Sequence, residues 1–250
     1  AYIGYTSMSF SPYTLSGHSF KGAGVELTPG NWRMALMAGQ LKKAVEYNSI
    51  VQSSVVPSYK RMGYAIKLGY EKGANSISAN VFTAKDDENS IHSVPNSVLL
   101  HPMQNIAVGI SGRTTLLDHL TLEGEYSVSI LNGDLRMESI QTDSALIGSD
   151  SKPLSTQTAG TRTFDAYSAG IGYQTSPFGI FIRYERVAPD YQSLGAYYFN
   201  NDMENITLSP NVRLLEGRLS ITGNAGIQRK NLDKSRQSTT KQWGVAGNIN

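Results

Sequence analysis

The chain has 250 residues, of which 40% are hydrophobic and 17% are charged, a length and composition that suit a single all-β domain. Lys and Arg total 22 against 20 Asp and Glu, so a net charge of +2 excludes the strongly basic surface of a nucleic-acid-binding protein. The absence of cysteine excludes disulfides and thiolate metal sites, and no run approaches the roughly 18 apolar residues of a membrane-spanning helix.

Apolar and polar residues alternate along the chain with a period of two. In the segment 61–71, Tyr64, Ile66 and Leu68 fall on one face, and the residues between them are charged or small. The same alternation recurs in the segments 106–113, 119–131, 180–185, 205–214, 219–228 and 243–249. A period of two with one consistently apolar face is typical of strands whose two faces meet different surroundings. The chain is therefore predicted to be all-β, with about twelve antiparallel strands.

The connections between these strands alternate in length. The short ones carry turn residues and lie at 28–31, 72–75, 117–119, 175–178 and 215–217. The long ones are polar and cover 11–18, 46–57, 86–103, 132–163, 187–204 and 230–240. Such alternation is typical of an up-and-down transmembrane barrel with short periplasmic turns and long extracellular loops. We predict one such domain over residues 1–250, in the bacterial outer membrane. A soluble β-sandwich, which also has alternating strands, is the alternative.

The two faces of the predicted strands differ in character. Small residues and charges of both signs fill one face, which we expect to line the lumen, where opposite charges can pair. The predicted lumen-lining charges are Glu26, Arg61, Lys67, Glu71, Arg113, Glu123, Glu125, Arg183, Glu185 and Arg213. The other face is apolar and carries rings that are expected to form lipid-interface girdles, with ordinary sheet packing as the alternative. Those rings are Tyr64, Tyr70, Tyr126, Tyr167, Tyr173, Tyr184 and Trp243.

The long connection 187–204 is unusually aromatic, with Tyr191, Tyr197, Tyr198 and Phe199 among its residues. Exposed aromatic patches commonly mark contacts. We therefore hypothesise that this loop folds over or into the barrel mouth, where the four rings form a constriction or a protein-docking surface. The alternative is a loop packed on its own neighbours.

Two groups of residues are candidates for chemistry. Ser90 and His92 are the nearest approach to a hydrolase pair, but closeness along the chain does not orient an imidazole toward a hydroxyl. Asp86, Asp87 and Glu88 could bind a divalent cation, although a solvated acidic rim explains them as well. We predict no enzymatic activity, no catalytic residue, no metal site and no cofactor.

Four segments resemble outer-membrane barrel proteins of the Bacteroidetes, a poorly characterised family. They are residues 21–31, 60–64, 84–90 and 193–202. The resemblance implies location and architecture, and it implies no substrate and no catalytic residue. Many bacterial barrels end on an aromatic residue, whereas this sequence ends with Ile249 and Asn250 inside a predicted strand. This departure leaves open a barrel of fourteen or more strands, of which the chain is an incomplete part.

These observations together lead to two functional expectations. The first is a channel or porin-like protein whose polar, mixed-charge lumen is partly occluded by the loop 187–204. The alternative is a structural or accessory barrel subunit of a larger outer-membrane secretion or uptake complex. The expected partners are outer-membrane lipid and lipopolysaccharide and, under the alternative, other outer-membrane or surface proteins. Nucleic acid is not expected as a partner.

Overall fold

The computed structural model describes residues 1–47, 56–92, 99–138, 158–196, 200–215, 218–235 and 238–249. The regular elements of these ranges are strands. Their bounds are β1 Tyr2–Met8, β2 Leu15–Ser16, β3 His18–Leu27, β4 Trp32–Lys42, β5 Lys60–Lys72, β6 Asn75–Asp87, β7 Gln104–Leu116, β8 Leu120–Asn132, β9 Thr161–Gln174, β10 Phe178–Val187, β11 Gly195–Ala196, β12 Met203–Leu214, β13 Leu219–Lys230 and β14 Lys241–Ile249. In the ranges given above, no helix has the length and apolarity needed to cross a membrane.

Twelve of the strands form one antiparallel sheet, in the order β1-β3-β4-β5-β6-β7-β8-β9-β10-β12-β13-β14. Each of them pairs with the next long strand in the chain, so the predicted all-β, up-and-down arrangement of about twelve strands is confirmed. The two short strands, β2 and β11, pair with each other in parallel. Within the described residues β1 and β14 are the edges of the sheet and do not pair with one another.

The connections confirm the predicted alternation of short and long links. The short ones are residues 28–31, 73–74, 117–119, 175–177 and 215–218, and the long ones are 9–17, 43–59, 88–103, 133–160, 188–202 and 231–240. The tightest turn contains Gly73, whose φ of 60° lies in the left-handed region that glycine enters without strain. Because neighbouring strands run in opposite directions, all short links lie at one end of the sheet, the turn end. All long links lie at the other, the loop end.

The strand register separates the residues into two faces. Lys67, Asn80 and Ser127 belong to one row of cross-strand partners, which continues through Gly109 and Ala166. We call this the inner face, because residues of two long links pack against it. The neighbouring positions, such as Leu68 and Tyr126, form the outer face.

The hydrophobic core lies on the inner face toward the loop end. Its sheet residues are Met8, Phe20, Ala35, Met37, Leu41, Ala65, Phe82, Ala84, Ala107 and Leu131. Phe10, Leu15 and Leu194 pack on them from the links. The described links cover part of the inner face only. The outer face is left uncovered by them.

Candidate functional site

The outer face presents a broad apolar surface to its surroundings. Tyr64 is 54% exposed, Ile66 50%, Ile110 51%, Ile171 48% and Ile206 48%. The surface, which we call the outer band, comprises Leu36, Tyr64, Ile66, Leu68, Val81, Val108, Ile110, Leu122, Tyr126, Ile171, Ile182, Ile206, Leu208 and Ile221. It extends from β4 to β13, whereas soluble monomers rarely expose contiguous apolar patches of more than a few hundred Å². An exposed apolar surface of this extent is expected to be covered by another apolar surface or medium.

Aromatic rings lie both within the outer band and at its turn end. The rings of Tyr126, Tyr167 and Tyr184 form a row with centroid separations of 6.5 and 5.9 Å. At the turn end the rings of Trp32 and Tyr70 meet edge to face, with centroids 5.3 Å apart. All seven rings that the sequence analysis assigned to the apolar face lie on the outer face by register.

A row of charged side chains crosses the outer face at the loop end. Arg186 is the cross-strand partner of Glu204, Glu204 of Arg229, and Arg229 of Lys241. Arg229 also forms an ion pair with Glu204 at 2.6 Å, and the Tyr184 hydroxyl donates to the same carboxylate at 2.6 Å. The apolar outer band therefore gives way to paired charges where the strands end.

All ten charged residues that were predicted to line a lumen fall on the inner face by register. Several of them pair with an opposite charge. Arg61 makes a two-pronged contact with the buried carboxylate of Asp86, with N–O distances of 2.7 and 2.9 Å. Glu123 binds the guanidinium groups of both Arg113 and Arg183.

At the turn end, Glu71 pairs with Arg33 at 2.9 Å. Glu26 accepts a hydrogen bond from the Tyr2 hydroxyl at 3.1 Å. Arg213 lies near the turn end of β12 and is exposed. The inner face at this end is therefore polar and largely internally compensated.

The first link, residues 9–17, does not extend away from the sheet. Its segment 10–15 lies on the inner face and contacts strands as far apart as β5 and β10. The Lys67 ammonium donates to the carbonyl oxygen of Phe10 at 3.0 Å, and the Tyr13 hydroxyl donates to Glu185 at 2.7 Å. The sheet therefore curves around this segment.

Two further contacts hold the same segment between those strands. The Ser11 hydroxyl donates to the Glu125 carboxylate. Thr14 Oγ1 donates to Asn80 Oδ1 at 2.5 Å, and both side chains are buried. Three of the predicted lumen-lining charges, on β5, β8 and β10, are thus engaged in binding a segment of the chain itself.

Residues 188–196 of the loop between β10 and β12 form a second layer on this segment. Tyr191 is fully buried, and its hydroxyl donates to the carbonyl oxygen of Tyr13 at 2.8 Å. The Ser193 hydroxyl donates to the carbonyl oxygen of Thr14. β11 then pairs with β2 through Gly195 and Leu15. We call the two segments, residues 10–15 and 188–196, the plug.

The plug is also bound to the wall through its second segment. The Leu194 amide donates to Asn105 Oδ1 at 3.1 Å, and the Ser129 hydroxyl donates to the carbonyl oxygen of Gln192 at 2.6 Å. Of the four loop aromatics assigned to a constriction or docking surface, Tyr191 lies in the plug. Tyr197, Tyr198 and Phe199 lie outside the described residues.

Burial changes the acidity of the two plug tyrosines. It raises the pKa of Tyr13, and the hydrogen bond to Glu185 raises it further. Burial likewise raises the pKa of Tyr191, with an added contribution from the negative charge of Glu125. Both phenols therefore remain protonated and serve as hydrogen-bond donors over the whole physiological range.

The first plug segment was predicted only as a polar loop. The local signal was present in Phe10, Tyr13 and Leu15, three large apolar or aromatic residues within one short link. The uncharged wall residues Asn80 and Asn105 were not predicted, because buried amides on a polar face have no distinctive spacing.

The candidate residues for chemistry make contacts with other groups. Ser90 Oγ donates to the carbonyl oxygen of Asp87 at 2.5 Å and accepts from the Lys60 amide at 2.9 Å, whereas the His92 ring contacts Glu46 at 2.9 Å. Asp86 is held by Arg61. In the part of the chain that the structure describes, no group of three or more His, Cys, Asp or Glu side chains is placed to hold a metal ion. The absence of an enzymatic activity stays a prediction.

Comparison with known proteins gives no assignment. No protein-family model matches the sequence, and no curated protein matches it.

Proposed function

We propose that this chain is a transmembrane β-barrel of the bacterial outer membrane that acts as a channel, with a polar, mixed-charge lumen occluded at the loop end by the plug. The single observation that carries the proposal is the outer band. Its side chains are about half exposed across neighbouring strands, and each Å² of apolar surface left in water costs about 25 cal/mol. A lipid bilayer is the covering that matches a continuous apolar belt with aromatic rings at its turn end and paired charges at its loop end.

The strand lengths suit a bilayer. A tilted transmembrane strand needs about 9–11 residues. β5, β6, β7 and β8 each have 13 residues, and β14 has 9. The charged row that includes Arg229 and Glu204 then lies at the membrane surface. Its expected contacts are the headgroups of outer-membrane lipid and lipopolysaccharide.

Closure of the barrel is part of the proposal. An unpaired backbone N–H or C=O in hydrocarbon costs several kcal/mol, so the edges of β1 and β14 must be paired in a membrane. β1 runs toward the loop end and β14 runs away from it, so the two edges can pair in the antiparallel sense of the rest of the sheet. A larger barrel of fourteen or more strands would place further strands between these edges.

Conductance in planar lipid bilayers tests the channel. We would compare the wild-type protein with a variant in which residues 188–196 are replaced by a Gly-Ser linker of equal length. The expected result is discrete current steps that are larger or more frequent in the variant, because the second plug layer has been removed. The matched control replaces residues 43–47, which lie at the same end outside the plug. Absence of current from both the wild type and the variant, together with retention of small neutral solutes by vesicles that contain either protein, would contradict the proposal.

The second candidate is a structural or accessory subunit of a larger outer-membrane secretion or uptake complex. The close packing of the plug favours this second candidate. Thr14, Leu15 and Tyr191 are 0% exposed and Leu194 is 4% exposed, so the plug packs like a protein core. This candidate predicts silent bilayers together with co-purification of other outer-membrane proteins in mild detergent. Elution as a lone monomer would remove its support.

A further inference from the structure

The inner face changes character between the first ten strands of the chain and the last three long ones. On β12, β13 and β14, the inner-face positions between Arg213 at the turn end and Lys230 at the loop end carry amides, hydroxyls or small residues. We call this surface the neutral wall. Its polar members are Asn205, Thr207, Ser209, Asn211, Ser220, Thr222, Asn224, Gln228, Gln242 and Asn248.

The register aligns these side chains across the three strands. One row joins Asn205 to Gln228 and Gln242, and a second joins Asn211 to Thr222 and Asn248. Each row therefore presents several neighbouring groups that can both donate and accept hydrogen bonds.

The neutral wall is open, in contrast to the wall that carries the plug. Thr222 and Asn224 on β13 are exposed, and so is every described residue of the edge strand β14, including Gln242 and Asn248. The side-chain anchors of the plug described above lie on β5 to β10. The plug packs on β12 at Met203, which is the first residue of that strand at the loop end.

The charges of the other wall are already committed within the protein. Lys67, Glu125 and Glu185 bind the first plug segment. Glu123 is paired with Arg113 and Arg183. An ion that replaces one of these partners breaks a contact within the protein, although the Arg113 and Arg183 side chains are 58% and 51% exposed.

The uncharged side chains of the neutral wall therefore discriminate between charged and neutral solutes. An ion that loses part of its hydration shell there is not compensated by an opposite charge. Removing an unpaired charge from water has a high free-energy cost. A hydroxyl group exchanges a hydrogen bond to water for one to an amide or a threonine at little cost. From this geometry we infer that solutes pass along the neutral wall and that they are uncharged, hydroxyl-rich molecules of the sugar-alcohol or sugar type. The inference rests on the proposed channel function and names the substrate class of that same lumen.

Efflux from proteoliposomes tests the inference. Vesicles are loaded with sorbitol, gluconate and N-methylglucamine, which share a polyol skeleton and are neutral, anionic and cationic respectively. Valinomycin and K⁺ clamp the membrane potential, and the retained amount of each solute is measured over time. The wild-type protein and the 188–196 linker variant are both used. We expect sorbitol to leave several-fold faster than either charged solute from both.

Single charges placed on the neutral wall give the matched test. Asn224→Asp and Gln242→Glu are expected to slow gluconate relative to N-methylglucamine and to lower the preference for sorbitol. Asn31→Asp, the same chemical change in the turn between β3 and β4, is the control and is expected to change none of the three rates.

The outcomes separate the two proposals. Efflux of a charged solute as fast as sorbitol, or no effect of either wall variant, overturns the inference about substrate class and leaves the channel standing. Retention of all three solutes by both proteins overturns the channel itself.

Discussion

The inner face of β5 to β10, which we call the plugged wall, and the neutral wall belong to one antiparallel sheet, yet one binds the plug and the other stays open. The difference lies in side chains. The plugged wall offers buried amides, paired charges and small residues, and the plug approaches it closely enough that a Cβ on Gly195 would stand 3.0 Å from the Phe82 ring. The neutral wall offers only uncharged amides and hydroxyls, which compete weakly with water for hydrogen bonds. In the proposed channel, side-chain composition alone therefore divides the inner face of one continuous sheet into a structural part and a conducting part.

The largest expected contrast between the walls comes from the centre of the plug. Tyr191→Ala removes a fully buried ring and its hydrogen bond to Tyr13. Loss of a buried aromatic side chain costs about 3–5 kcal/mol of unfolding free energy. Asn224→Ala on the neutral wall is expected to cost less than about 0.5 kcal/mol. Urea titration of the folded fraction in lipid vesicles measures both. Equal costs would mean that the plug does not stabilise the fold.

A charge on the outer band gives the next largest effect. Ile66 lies at the middle of β5 and is 50% exposed. Ile66→Arg is expected to destabilise the inserted protein by about 2–4 kcal/mol if this position faces the membrane midplane. Thr222→Arg, on the inner face of β13, is the matched control and is expected to insert normally. Insertion yield and unfolding in vesicles measure the pair. Equal tolerance of the two arginines would refute the assignment of the outer face to lipid.

The smallest contrast concerns one hydrogen bond. Thr14→Val keeps the shape of the side chain but leaves the buried Asn80 Oδ1 without its donor. The expected cost is about 1–3 kcal/mol, the penalty for a buried polar group that has lost its partner. Thr222→Val, at an exposed position of the neutral wall, is expected to be nearly silent. The same urea titration compares them, and a silent Thr14→Val would show that this bond contributes nothing to plug docking.

Much of the fold followed from local signals in the sequence. Period-two alternation assigned Tyr64 and Ile66 to the outer face, because successive side chains of a strand point to opposite sides. The turn at Gly73 and the link after Leu116 were located by residues with short-range conformational preferences. Strand order then needed no further information, since each long strand pairs with its neighbour in the chain.

Placement of the plug depended on contacts between distant parts of the chain. Tyr13 meets Glu185 and Tyr191, residues more than 170 positions away, and Thr14 meets Asn80, 66 positions away. No periodicity connects such positions. The pattern distinguishes an inner from an outer face because that distinction repeats every second residue. Two features depend on the tertiary structure alone: which inner-face charges bind the plug, and which part of the wall stays open. Both were decided because the curved sheet brings remote strands around the same two links.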